Sequence, residues 1–182
     1  MTWSVLLGWA PLICSLALAA VIDCRQRRIP NWLTFGLLLG GLGRALAFGG
    51  GGFGHAVLGM LAGAAIPLVL YAISALGGGD VKLMAAIGAW VGPGPAVLVF
   101  MAEAVLGLGI VLVQAVAQRK TGALLRNSAL IAVNFAGAGE LGLRNAVETG
   151  RSCRSLNRPL PFAVPAFFAT LIVLLTGRLV GR

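Results

Sequence analysis

Asp23 and Asp80 are the residues with the clearest chemical potential, because the chain has only five acidic residues and sets these two at the edges of apolar runs. Asp80 lies in Gly77-Gly78-Gly79-Asp80-Val81-Lys82-Leu83, where one apolar run stops and the next begins. Asp23 closes the first apolar run. Hydrocarbon penalises charge, so an ionisable side chain in such a place is a functional hypothesis by default. Two carboxyl groups held close tend to share one proton. The ionised partner can then deprotonate water while the protonated one donates to a substrate carbonyl or leaving amine, which suffices for peptide hydrolysis without a metal. Glycines lacking Cβ let an extended substrate backbone approach such an acid. Lys82 either favours an ionised Asp80 or reaches lipid headgroups; spacing alone leaves both open.

Each aspartate also has a plainer role. Asp80 serves equally well as the N-cap of a helix that follows the glycines. Asp23 has Arg25, Arg27 and Arg28 beside it as ion-pair partners. An acid at the carboxyl end of a helix opposes the helix dipole, however, so capping does not account for Asp23. The conjunction of both acids on one side of a membrane favours function. Glu103 falls inside an apolar run, hydrogen-bonded within the bundle or facing a water-filled cleft, and is a weaker candidate. Glu140 and Glu148 sit among basic residues as solvated pairs. His55 is the one histidine, so Ser-His and Cys-His chemistry and an H-E-x-x-H metal site are unsupported. Cys14, Cys24 and Cys153 form no C-x-x-C pair; Cys14 is expected to be a small buried apolar side chain. No metal or other cofactor is expected.

The elements that must position these acids are membrane helices. Apolar residues make up 59% of the chain and charged ones 10%, and the mean hydropathy is +0.96. Several apolar runs approach the length that crosses a bilayer. The expected fold is an all-α, polytopic membrane bundle of about six helices, a single domain over 1–182. The spans fall near 3–22, 32–48, 56–76, 81–91, 96–117 and 160–177. The first follows no basic segment and reads as a retained helix, not a signal peptide.

The net charge of +9 is concentrated in the 23–31 loop and a basic loop at about 118–159. Positive residues accumulate on the cytoplasmic side, so both loops are placed inside and both termini outside. Attraction to anionic headgroups accounts for this excess. Nucleic-acid binding is not indicated, since no recognition motif accompanies the charge. Pro30 ends the preceding conformation and Asn31 is expected to cap the second helix. Gly36, Gly40 and Gly43, and separately Gly59 and Gly63, form small-residue stripes for close helix packing. Span four has about eleven residues, roughly 16 Å of helix, about half of a hydrocarbon core. That shortness puts Asp80 in or near the apolar layer.

Asp23 followed by Arg27-Arg28-Ile29-Pro30-Asn31, and then Gly77-x-Gly79-Asp80-x-Lys82-Leu83, resembles the type IV prepilin peptidases, polytopic aspartic proteases of the GxGD class. The resemblance covers roughly the first half of the chain plus the last span. Pro161-Phe162, within Leu160-Pro161-Phe162-Ala163-Val164-Pro165-Ala166, looks like the family's Pro-Tyr-Gly-x-Ala segment, departing at Phe162 and Ala163; it is a candidate substrate-side segment. The resemblance implies that Asp23 and Asp80 are catalytic, supported by Gly77, Gly79, Lys82, Pro30 and Asn31. It implies cleavage of the leader of a prepilin or pseudopilin at the cytoplasmic face of a bacterial inner membrane. Lacking paired C-x-x-C motifs and an amino-terminal extension, the chain resembles the short branch serving tight-adherence (Flp) pili, without the methylase extension. The competing expectation from the residues alone is a small proton- or cation-coupled transporter or channel subunit using the same acids.

Overall fold

The computed structural model describes residues 3–48, 52–72, 76–117 and 162–180. The expected basic loop at 118–159, with Glu140, Glu148 and Cys153, and also Pro161, lies outside the described residues. Among those described, the chain forms helices only: α1 Trp3–Gln26, α2 Asn31–Phe48, α3 Gly52–Ala72, α4 Gly78–Val91, α5 Pro93–Ala117 and α6 Ala163–Val180. Gly8–Gln26, Gly52–Ala72 and Pro93–Gln114 are long and apolar enough to cross a membrane, and Ala163–Gly177 is a shorter apolar helix. The all-helical membrane bundle expected from the composition is therefore the observed architecture.

α4 is the centre of the bundle, touching α2, α3, α5 and α6. Its Leu83, Met84, Ala86 and Ile87 are fully buried, and Ala89 and Trp90 nearly so. A helix apolar on every side belongs in a core. The outer helices turn the opposite way, with Leu39, Leu46, Val69, Val105 and Val113 exposed; lipid is as apolar as those side chains and exacts no penalty for it. α4 gains its central position through close backbone approach. A Cβ on Gly59 would collide with the Gly88 carbonyl oxygen, and one on Gly63 with that of Met84. The Gly59/Gly63 stripe thus does what small residues do in membranes, bringing α3 and α4 into backbone contact.

The stripe on α2 differs from the sequence expectation. Gly40 and Gly41, not Gly36 and Gly43, face α4, where the Trp90 indole fills the space their missing side chains leave. Trp90 Nε1 donates to the Leu37 carbonyl oxygen at 2.7 Å, which satisfies a polar group that apolar burial would otherwise strand. Cys14 is exposed instead of buried. His55, expected just before the third span at 56–76, lies within α3.

Two helix boundaries also move. α1 runs on to Gln26, so Asp23 sits in its last turn instead of starting a loop. The helix closes where Arg27 donates its backbone N–H to the Asp23 carbonyl oxygen at 2.8 Å and takes φ 52°. At the start of α2, the Pro30 carbonyl oxygen accepts from the N–H groups of Leu33 and Thr34. Pro30, and not Asn31, therefore occupies the cap position.

Candidate active site

Asp23 is 5% exposed, at the carboxyl end of α1, where its own helix offers it no donors. The donor comes from elsewhere: the Ala163 N–H at the start of α6 donates to Asp23 Oδ2 at 2.9 Å. The first N–H groups of a helix have no partner within it, and its dipole favours an anion there. The apparent misfit of Asp23 with α1 is thus resolved by α6, an element far away in sequence. This contact also fixes the α6 entry, and with it Phe162, beside Asp23.

Asp80 occupies the first turn of α4. The Gly77 N–H donates to its Oδ2 at 3.1 Å, and the Asp80 N–H returns to the Gly77 carbonyl oxygen at 3.1 Å. This is the reach-back half of a capping box. Asp80 is accordingly not the cap residue; Gly77 is. A Cβ on Gly77 would sit 2.9 Å from Asp80 Oδ2, which gives the glycine a local reason. Both aspartates are therefore held by backbone N–H groups at helix amino ends, one from α4 and one from α6.

The neighbouring motif residues tie these ends together. Lys82 Nζ donates to Asn31 Oδ1 at 2.9 Å, joining α4 to α2; among the described residues its hydrogen-bond partner is Asn31 and not Asp80. Gly79 faces Ile29, with Cβ to Cβ at 3.5 Å once a side chain is built on it. The 27–30 segment that follows Asp23 is thus seated on the start of α4. Asp23 lies within electrostatic reach of Asp80.

Beside Asp80 lies a cavity of about 410 Å³. Leu70 of α3, Phe162 just before α6, Pro165 of α6 and one face of α5 line it, and Asp80 and Glu103 are the acids on its wall. Asp23 is not on that wall. Its origin is a difference in length: α5 has 25 residues and α4 has 14, so α5 runs on past the start of α4. Gly107, Leu108 and Val111, on that overhang, line the space α4 leaves. Phe162 also lines the cavity.

The profile of the type IV leader peptidase family, Peptidase_A24, matches residues 10–112, a stretch that includes both aspartates and the glycines. The chain belongs to this family. It is 35% identical over 123 residues to the prepilin leader peptidase/N-methyltransferase of Aeromonas hydrophila, covering 59% of this chain and 42% of that protein. The corresponding protein of Aeromonas salmonicida strain A449 matches with the same identity and coverage. The matched region therefore spans about two-fifths of the length of these curated relatives. No solved structure matches the chain.

Glu103 is the acid whose place in this family member the sequence left undecided. It is 3% exposed, on the same cavity as Asp80, and within electrostatic reach of it. A legible signal existed. α4 and α5 are joined only at Gly92, and Asp80 stands about twelve residues before that joint and Glu103 about eleven after it. At 1.5 Å per residue both lie roughly 17 Å from the turn, at one level of a hairpin. Among the described residues, no three His, Cys, Asp or Glu side chains converge as a metal site would require.

Proposed function

We propose that this chain is a membrane-embedded aspartic endopeptidase that removes the leader of type IV prepilins or pseudopilins, with Asp23 and Asp80 as its catalytic pair. The observation that carries this reading is their convergence at one end of the bundle, each on helix-end N–H groups, in a member of the type IV leader peptidase family. One carboxylate takes a proton from water, whose oxygen attacks the scissile carbonyl carbon. The other carboxyl protonates the carbonyl oxygen, giving a tetrahedral diol. As the diol collapses, the carbon–nitrogen bond breaks, the protonated carboxyl gives its proton to the leaving amine and a diol hydroxyl gives its proton to the other carboxylate, leaving the pair with one shared proton. The apolar cavity beside Asp80 supports this reading, since it offers an apolar peptide segment a route to the acid from within the bilayer.

The single domain, the inner-membrane location and the cytoplasmic orientation belong to the same proposal. Arg25, Arg27 and Arg28 are exposed beside Asp23, in keeping with the positive-inside bias. Flp-type prepilins are the proposed substrates, on the resemblance to the short branch. Co-expression with a full-length Flp prepilin, followed by the precursor's mass, tests the function. Loss of the leader mass in the presence of the wild-type chain, and its retention with Asp80→Asn, is the expected result. Cleavage at an undiminished rate by Asp80→Asn would refute the mechanism, and a precursor left intact by the wild-type chain would refute the function.

A further inference from the structure

Glu103 is a buried carboxyl group without a hydrogen-bond partner: neither Oε1 nor Oε2 has one among the described residues. Buried polar atoms are nearly always satisfied, and one that is not calls for a reason. Nothing within the described fold supplies it. A leucine at this place on α5 would lie one turn from Phe100 on the cavity wall without stranding two oxygens in an apolar setting, so Glu103 does not serve stability. Its position offers the reason. On α5, Phe100, Glu103, Ala104, Gly107 and Leu108 recur at helical spacing along the cavity wall, and Glu103 is the polar member of that stripe. It shares the cavity wall with Asp80.

A peptide entering the cavity brings backbone N–H groups that have left water and need acceptors. Gly77, Asp80 and Glu103 are the cavity residues best placed to meet an extended backbone. Asp80 is already engaged by the Gly77 N–H, whereas neither Glu103 oxygen has a partner among the described residues. We propose that Glu103 is a substrate-positioning residue of the peptidase site, accepting a hydrogen bond from a backbone N–H of the bound peptide and holding the chain against Asp80. This rests on the peptidase reading above. Glu103 does not exchange protons with the reacting atoms; it fixes where the peptide lies, so its removal weakens binding more than turnover.

The experiment is steady-state cleavage of a full-length prepilin by the purified chain in lipid, comparing wild type, Glu103→Leu and Glu103→Gln. Glu103→Leu should raise KM about tenfold, the effect of one lost hydrogen bond (about 1.4 kcal/mol), with kcat within about threefold of wild type. Glu103→Gln keeps a carbonyl acceptor of the same reach and should restore KM to within about threefold. Thermal unfolding of both variants should occur at or above the wild-type temperature, because no internal partner is lost. An unchanged KM in Glu103→Leu overturns the proposal. So does a Glu103→Gln variant as impaired as Glu103→Leu, or a fall in kcat at constant KM. In each of these failures Asp80-dependent cleavage by the wild-type chain persists, which separates them from a failure of the peptidase reading. A wild-type chain that leaves the prepilin intact removes both.

Discussion

The two ends of α4, about 14 residues or roughly 20 Å apart, carry opposite chemistry. At the amino end Asp80 and Glu103 line a cavity of about 410 Å³, and Asp23 lies within electrostatic reach of Asp80. At the carboxyl end the neighbours are basic and aromatic: the Arg44 guanidinium lies 4.6 Å from the Trp9 ring centre and 5.7 Å from that of Trp90. His55 is tucked against Gly92 there, so closely that a Cβ on Gly92 would overlap its imidazole, and Gly92 has φ 86°. The helix dipole accommodates both arrangements, with carboxyl groups at its amino end and a cation near its carboxyl end. The difference lies in what each end does with its polar groups. The Gly92 end uses cation–π contact and a tight turn to fix the hairpin that sets the level of Asp80 and Glu103. The Asp80 end keeps Asp80 and Glu103 facing its cavity, whereas a cavity of about 280 Å³ at the Gly92 end is lined by Trp9, Arg44, His55 and Trp90.

This contrast can be broken most severely at Gly59, which serves both ends by holding α3 against α4. Gly59→Leu should overpack the contact with Gly88 and lower stability by about 3 kcal/mol or more, measured by thermal unfolding in detergent, with cleavage lost alongside the fold. A variant that unfolds at the wild-type temperature would mean the α3–α4 contact is not what seats α4.

Arg44→Gln probes the Gly92 end alone. Loss of its cation–π contacts should cost about 0.5–2 kcal/mol while cleavage stays within about threefold of wild type. A large fall in kcat with little change in stability would erase the distinction between a structural end and a reactive end. Lys82→Met probes the Asp80 end away from the acids. Removing the exposed hydrogen bond to Asn31 should cost about 1 kcal/mol or less and leave kcat within about threefold; a hundredfold drop would place Lys82 among the reacting groups.

Much of this arrangement is legible in the chain. Apolar runs separated by Gly, Pro and Arg mark the helices, the shortness of the run after Gly79 foretells a stunted α4, and scarcity of acids singles out Asp23 and Asp80. Other features depend on partners that local sequence cannot specify. The N–H that holds Asp23 belongs to Ala163, remote in the chain, so the acid looked unsupported where it stands on α1. Which α2 glycines face the core depends on where Trp90 projects, and the partner of Lys82 depends on how α2 meets α4. The cap of α2 shifted to Pro30 because a proline carbonyl accepts as well as any other, while the Asn31 side chain was drawn to Lys82. The juxtaposition of Asp80 and Glu103 was within reach of counting from Gly92, once that residue is read as the pivot of a hairpin.

The central claim, that Asp23 and Asp80 work as one unit, is tested most directly by a double-mutant cycle on prepilin cleavage rates with Asp23→Asn, Asp80→Asn and the double variant. Residues that share one proton and one water should each cost at least about 10²-fold alone, and the double variant should be no slower than the slower single. Effects that multiply in the double variant, or either single retaining the wild-type rate, would contradict a shared catalytic pair.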